Sequence, residues 1–291
     1  TNTGLTRELE AGTYFFGVSH GNPQGIGTCD VRLRADHVDD NYTSLWWDAA
    51  ESGWGININH QGNIVFATLF TYNPNGTPVW LVMSEGRRQV DGSYLGALFR
   101  TTGPAFNANP WRAVSVQQVG TMRLSFPSAQ AGVLTYTFNN VQVVKNITRQ
   151  EFKPLPECKW SAYDRSWATN FQDLWWNPAE SGWGVNVAHQ EDTLFATLFT
   201  YNAQGQPMWL VMPDGARTPG SRTYGGPIYR TTGPAFNAAP WTPINATAAG
   251  TMTFNFTDGN AGAMTYSVDG VQVTKQIQRQ VFQALKTQCE S

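Results

Sequence analysis

The sequence predicts an all-β protein, two tandem antiparallel up-and-down β-barrels related by internal duplication. Three observations carry this: a repeat of about 130 residues, apolar residues recurring with period two, and turn residues between the apolar runs. Shifted by 129 positions, Leu45–Met83 matches Leu174–Met212 at 26 of 39 positions. One inserted residue later, RTTGPAFNANPW at Arg100–Trp111 returns as RTTGPAFNAAPW at Arg230–Trp241. A unit of this length is a closed domain rather than a solenoid repeat, so the chain divides into an extension, 1–28, and two barrel domains, 29–158 and 159–291.

The elements follow in chain order. Thr1–Thr28 contains GTYFFGVSHGNPQGIGT, a strand and a Gly-rich loop, which either adds a strand to the first barrel or pairs with an exposed sheet edge of a neighbour. SGWGININH places Trp54, Ile56, Ile58 and His60 on one face and Gly53, Gly55, Asn57 and Asn59 on the other, a strand period. Ile64–Tyr72 and Thr77–Met83 are rich in β-branched and aromatic residues, and the NPNG between them is hairpin chemistry. Tyr94–Arg100, Gly120–Phe126, Gly132–Phe138 and Val141–Phe152 complete a meander, with counterparts in the second copy. Successive hairpins without long crossovers close most simply as a barrel, a sandwich being the alternative.

Composition narrows the function classes. Charged residues are 14% and apolar residues 41% of the 291, so the chain folds and presents a polar, weakly charged surface. A formal net charge of -2 with five lysines lacks the footprint of a nucleic-acid or anionic-membrane binder, and the apolar runs are too short to span a bilayer as helices. Neither nucleic-acid binding nor membrane insertion is expected. Few lysines, abundant Thr, Asn, Gln and Gly, and 12 tryptophans suit an exported bacterial β-protein, secreted or on the cell surface, whose leader, if it had one, is already removed at Thr1.

Cys29 and Cys158 each stand 17 residues before a Trp-Trp pair, and Cys289 closes the second copy. Three cysteines leave one over: either Cys29 bridges to Cys158, or all three are free and buried. Cys289, near the tail, is the candidate for a free thiol or an intermolecular disulfide.

The inventory for catalysis is thin. Glu51 and His60 lie on the order of 30 Å apart along an extended strand, so they form no local acid-base pair; the expectation is that Glu51 and Glu180 accept backbone N–H bonds from their Ser-Gly turns and that the histidines cap strands. Lys145 and Arg149, repeated as Lys275 and Arg279, alternate with apolar residues and hold an anion at a barrel mouth, pair with Glu51 and Glu180, or are simply solvated. No nucleophile signature and no local metal motif is present; an oxygen-ligand calcium site in Asp36–Asn41 is the one alternative, and no cofactor or metal is expected.

Tryptophan is in excess. Ten of the 12 fall in matched pairs, and in the adjacent Trp46–Trp47 and Trp175–Trp176 one ring of each pair must face outward. Trp54 and Trp183 share a face with Ile or Val and read as core. The binding candidates are Trp46, Trp47, Trp175 and Trp176, with Arg100, Trp111, Arg230 and Trp241 from the near-identical RTTGPAFN loops.

The blocks LWWDAAESGWGININHQ, FATLFTYN, PVWLVM and RTTGPAFN together resemble a Trp-rich repeat of exported proteobacterial proteins, over about 240 of the 291 residues. That resemblance implies export and no particular activity. Calycin-like and avidin-like barrels are the fold analogy, and no biotin-site pattern carries over. The leading expectation is a non-catalytic exported binding protein, its aromatic surfaces or cavities taking a carbohydrate or another neutral ligand. The alternatives are a structural subunit of a surface assembly or filament, whose partners are copies of itself, and a secreted hydrolase using Glu51 or Arg100.

Overall fold

The computed structural model describes residues 41–290, and it contains two closed eight-stranded antiparallel barrels. The first is the meander β1 (Ser44–Trp47), β2 (Gly55–Gln61), β3 (Ile64–Tyr72), β4 (Pro78–Arg88), β5 (Tyr94–Thr102), β6 (Ser115–Ser128), β7 (Ala131–Phe138) and β8 (Val141–Arg149). β1 pairs with both β2 and β8, which closes the sheet. After β9 (Glu157–Ser161) the order repeats as β10 (Asp173–Trp176), β11 (Gly184–Gln190), β12 (Thr193–Tyr201), β13 (Pro207–Arg217), β14 (Thr223–Thr232), β15 (Asn245–Phe256), β16 (Ala261–Val268) and β17 (Val271–Arg279), closed by β10 on β17. The extension 1–28, Cys29 and most of the Asp36–Asn41 loop lie outside the described residues.

Strand limits follow the expected ones to within about two residues, with three larger differences. β4 runs on to Arg88 because a register shift between Val65 and Ala67 absorbs an extra residue and lets pairing resume. β6 begins at Ser115, pairing Thr102 across from the loop exit, and β8 ends at Arg149 rather than Phe152.

Each barrel is filled by its inward faces. In the first, Trp46, Ile56, Leu69, Leu81, Met83, Leu124 and Leu134 form the core, and the equivalent positions fill the second. Yet every residue of β2, β3 and β11 is buried on both faces. The cause is a third apolar cluster between the barrels, where Phe66, Phe70, Tyr72 and Trp80 meet Phe199, Tyr201 and Trp209. Trp80 Nε1 donates to the carbonyl of Thr200, and Trp209 Nε1 to that of Thr71. Tyr72 OH bonds Thr231 Oγ1, and Tyr201 OH bonds Thr101 Oγ1. The contacts are reciprocal, as a pseudo-twofold axis requires.

The RTTGPAFN loops cross this interface. Phe236 of the second copy sits 2% exposed in the core of the first barrel, 4.9 Å from Phe138, while Phe106 packs on Tyr266 of the second. Gly103 N donates to Gly205 O and Gly233 N to Gly76 O. Gly76 and Gly205 have φ of 80° and 73°, and a Cβ at Gly205 would stand 2.8 Å from the Gly103 carbonyl, so glycine is required twice over.

The cysteine expectation is corrected here. Cys289 is neither free nor intermolecular: β18 (Lys286–Glu290) pairs antiparallel with β9, which sets Cys289 opposite Cys158, and the two are joined as a disulfide. The bond spans 131 residues of sequence and ties the two ends of the second barrel domain together. It is compatible with an oxidising compartment.

Candidate functional site

The barrel mouths carry the charged residues that the sequence singles out. Glu51 precedes β2 and Lys145 faces inward from β8, so their side chains meet: Lys145 Nζ lies 2.5 Å from Glu51 Oε2, and Trp54 Nε1 donates to the same oxygen at 3.1 Å. Lys275, Glu180 and Trp183 repeat the arrangement, with the ion pair at 2.7 Å. The carboxylates therefore accept from an indole and an ammonium rather than from the turn backbone, because the turn aims them over the mouth toward the lysine. Each lysine also lies under a tryptophan of the other barrel, Lys145 5.6 Å from the Trp241 ring and Lys275 5.3 Å from Trp111. Trp241 Nε1 donates to Ser52 O and Trp111 Nε1 to Ser181 O. These groups satisfy one another, and no acid or base among them is left unengaged.

At the opposite ends lie His60 and His189. His189 Nδ1 accepts from the Phe171 backbone N–H at 2.9 Å, so the ring proton sits on Nε2 and faces the Tyr224 hydroxyl at 3.2 Å. His60 contacts Tyr94 OH through Nε2 at 2.8 Å and is stacked on Tyr42. Burial pushes His60 down to about 3 and His189 to about 4, which keeps both neutral. Both are packed inside the barrel ends rather than capping strands.

Beneath them in the second barrel, Asp173 bridges two buried arginines, Arg165 at 2.8 Å and Arg279 at 3.1 Å. Among the described residues no group of three His, Cys, Asp or Glu side chains is placed to hold a metal.

A pocket of about 330 Å³ opens between the barrels. Trp47, Trp54 and Phe70 of the first barrel face Phe195, Trp209 and Tyr229 of the second, with Ser52, Gln150, Thr197 and Thr231 as polar side chains that can orient a ligand. No charged side chain lines it.

Of the eight binding candidates, Trp47 alone lines this pocket. Trp46 and Trp175 are fully buried, each under an arginine, Arg149 and Arg279, and each donating its indole N–H to a backbone carbonyl. Trp176 is half-buried at the position equivalent to Trp47. Arg230 pairs with Asp269 on the surface, Arg100 is half-buried, and Trp111 and Trp241 cap the mouths. The sequence reading missed Phe70, Phe195, Trp209 and Tyr229. The available signal was FATLFTY, where Phe and Leu occupy both strand faces, the mark of a strand buried on both sides.

Fold and site together define a two-barrel protein with interlocked loops and an uncharged aromatic cleft at the seam. No family model, no curated protein and no solved structure matches this chain.

Proposed function

We propose that the chain is a non-catalytic, exported binding protein that takes a neutral ligand into the cleft between its barrels. The observation that carries this reading is the pocket of about 330 Å³, lined by aromatic rings and a few neutral polar groups without a single charge. Burying an ion there would go uncompensated, whereas a flat apolar or sugar-like face gains from stacking on Trp47 or Trp209. The disulfide and the low lysine content support secretion or a cell-surface location. A hydrolase draws no support from Glu51 and Glu180, whose carboxylates are held by Lys and Trp.

Quenching of tryptophan fluorescence by the neutral probe N-phenyl-1-naphthylamine tests the location. Ala246 lines the cleft and is exposed, so Ala246→Trp fills it without disturbing a core. Saturable binding that Ala246→Trp abolishes supports the reading; equal binding by both proteins removes the cleft from consideration.

A subunit of an extracellular assembly is the second reading, favoured by Tyr163 and Trp167, 72% and 59% exposed on the segment between β9 and β10. Light scattering over a concentration series decides it: a constant mass near 32.2 kDa excludes self-assembly, and growth into large particles supports it.

A further inference from the structure

We infer that the chain carries two ligand sites related by its pseudo-twofold axis, and that the ligand is a neutral molecule presenting a hydrogen-bond acceptor oxygen on an apolar frame. The inference rests on the binding reading above and deepens it.

The duplication maps the observed cleft onto a second one on the opposite side of the seam. Trp47 becomes Trp176, Thr197 becomes Thr68, Trp209 becomes Trp80 and Tyr229 becomes Phe99. The reciprocal hydrogen bonds of Trp80, Trp209, Tyr72 and Tyr201 show that the axis relates the two sides in space as well as in sequence. At the positions where the linings differ, side chains shrink from Tyr229 to Phe99, Pro213 to Ser84 and Ile244 to Val114, and grow only from Ala246 to Val116. The equivalent positions thus carry side chains of similar bulk and no charge, as a second site for the same kind of guest requires.

Unpaired polar atoms identify what the guest must offer. Thr68 Oγ1 and Trp176 Nε1 are both buried without a hydrogen-bond partner, and Thr68 is wholly inaccessible to solvent. Asn57 stands directly across from Thr68 in the β2–β3 register, on the same face, and its Nδ2 is also buried and unpaired. Asn186 stands across from Thr197, which lines the first cleft, and its Nδ2 is buried and unpaired likewise. Leaving such groups unmade is costly, and an indole N–H and an amide NH₂ can only donate. Their common complement is an acceptor oxygen: a carbonyl, ether or hydroxyl on a molecule whose remaining surface is apolar.

The test uses two fragments of one shape, acetophenone and α-methylstyrene, which differ in a carbonyl oxygen against a methylene. Indole N–H resonances of the ¹⁵N-labelled full chain are followed, with Trp47→Phe and Trp176→Phe assigning the two signals. Acetophenone is expected to move both signals and α-methylstyrene to bind more weakly at each. Thr68→Val, of nearly equal shape, is expected to weaken the ketone at Trp176 by roughly three- to tenfold, the value of one neutral hydrogen bond, and to leave Trp47 unaffected. Movement of Trp47 alone overturns the second site and leaves the cleft reading standing. Equal affinity for both fragments, unchanged by Thr68→Val, overturns the acceptor requirement. Silence at both indoles removes the binding reading with it.

Discussion

The interior of each barrel and the seam between the barrels have diverged differently since the duplication. Inside, the copies exchange aliphatic shapes, Ile56 for Val185, Ile58 for Val187, Val65 for Leu194 and Leu98 for Ile228, and at Leu124 an aliphatic for the aromatic Phe254. Across the seam they hold Tyr72 and Tyr201, Trp80 and Trp209, Thr101 and Thr231, Phe106 and Phe236, Trp111 and Trp241 as identical pairs. A core asks for volume and apolarity, which several side chains supply. The seam asks each residue to make a particular hydrogen bond or enter a particular hole in the other copy, and few side chains can replace it there. The near-identity of the RTTGPAFN loops, which marks them as functional candidates in the sequence, has this structural cause.

The sharpest way to break the comparison is to remove a seam residue and watch the neighbouring barrel. Phe236→Ala should cost about 3–5 kcal/mol, as a buried aromatic does, although Phe236 belongs to the second copy and fills the first. Urea unfolding should remain one cooperative transition; two separate transitions would show that the barrels are not interlocked in energy. Replacing Cys158 and Cys289 together by Ser should cost about 2–5 kcal/mol by the same measurement, and an unchanged midpoint would dismiss the clasp as a stabilising element.

Acid should act through the two histidines. Their native values lie far below the ordinary 6.5, so the unfolded chain binds protons first and stability falls as pH drops from 6.5 toward about 4 and then 3. By pH 5.5 each contributes a loss on the order of 1 kcal/mol. A His60→Gln, His189→Gln double variant should flatten the urea midpoint against pH over that window. The smallest effect belongs to the core: Ile56→Val, which installs the residue of the other copy, should cost about 0.5–1.5 kcal/mol. A larger loss would mean that the interior is as exacting as the seam.

Much of the fold was legible in the residues. Period-two alternation around Ile56 and Ile58, the NPNG hairpin and the repeat offset lead directly to two closed meanders, because each depends on neighbours in sequence. The seam was not legible, because it depends on which outward faces meet. Asn57 and Asn59, on the face opposite Ile56 and Ile58, are buried together with Thr68, and Asn59 bonds Asn186 of the other barrel. Alternation alone places one of Trp46 and Trp47 outward, yet it cannot show that Trp47 meets Trp209 across a cleft supplied by a segment about 160 residues away. The disulfide was obscured for the same reason: its partners are brought together by the pairing of β9 with β18, two short strands outside both barrels.

The position of that clasp governs how the molecule bears tension. A pull between residue 41 and residue 290 enters the first barrel, reaches Cys158, and passes straight to Cys289 through the sulfur bridge. The chain between them, a sequence separation of 131, forms a closed ring that the load bypasses, withholding roughly 450 Å of contour from extension. Only reduction of the bridge would release that length, so the second barrel is shielded from stretching along the chain while the first, held by a loop from its neighbour, carries the force.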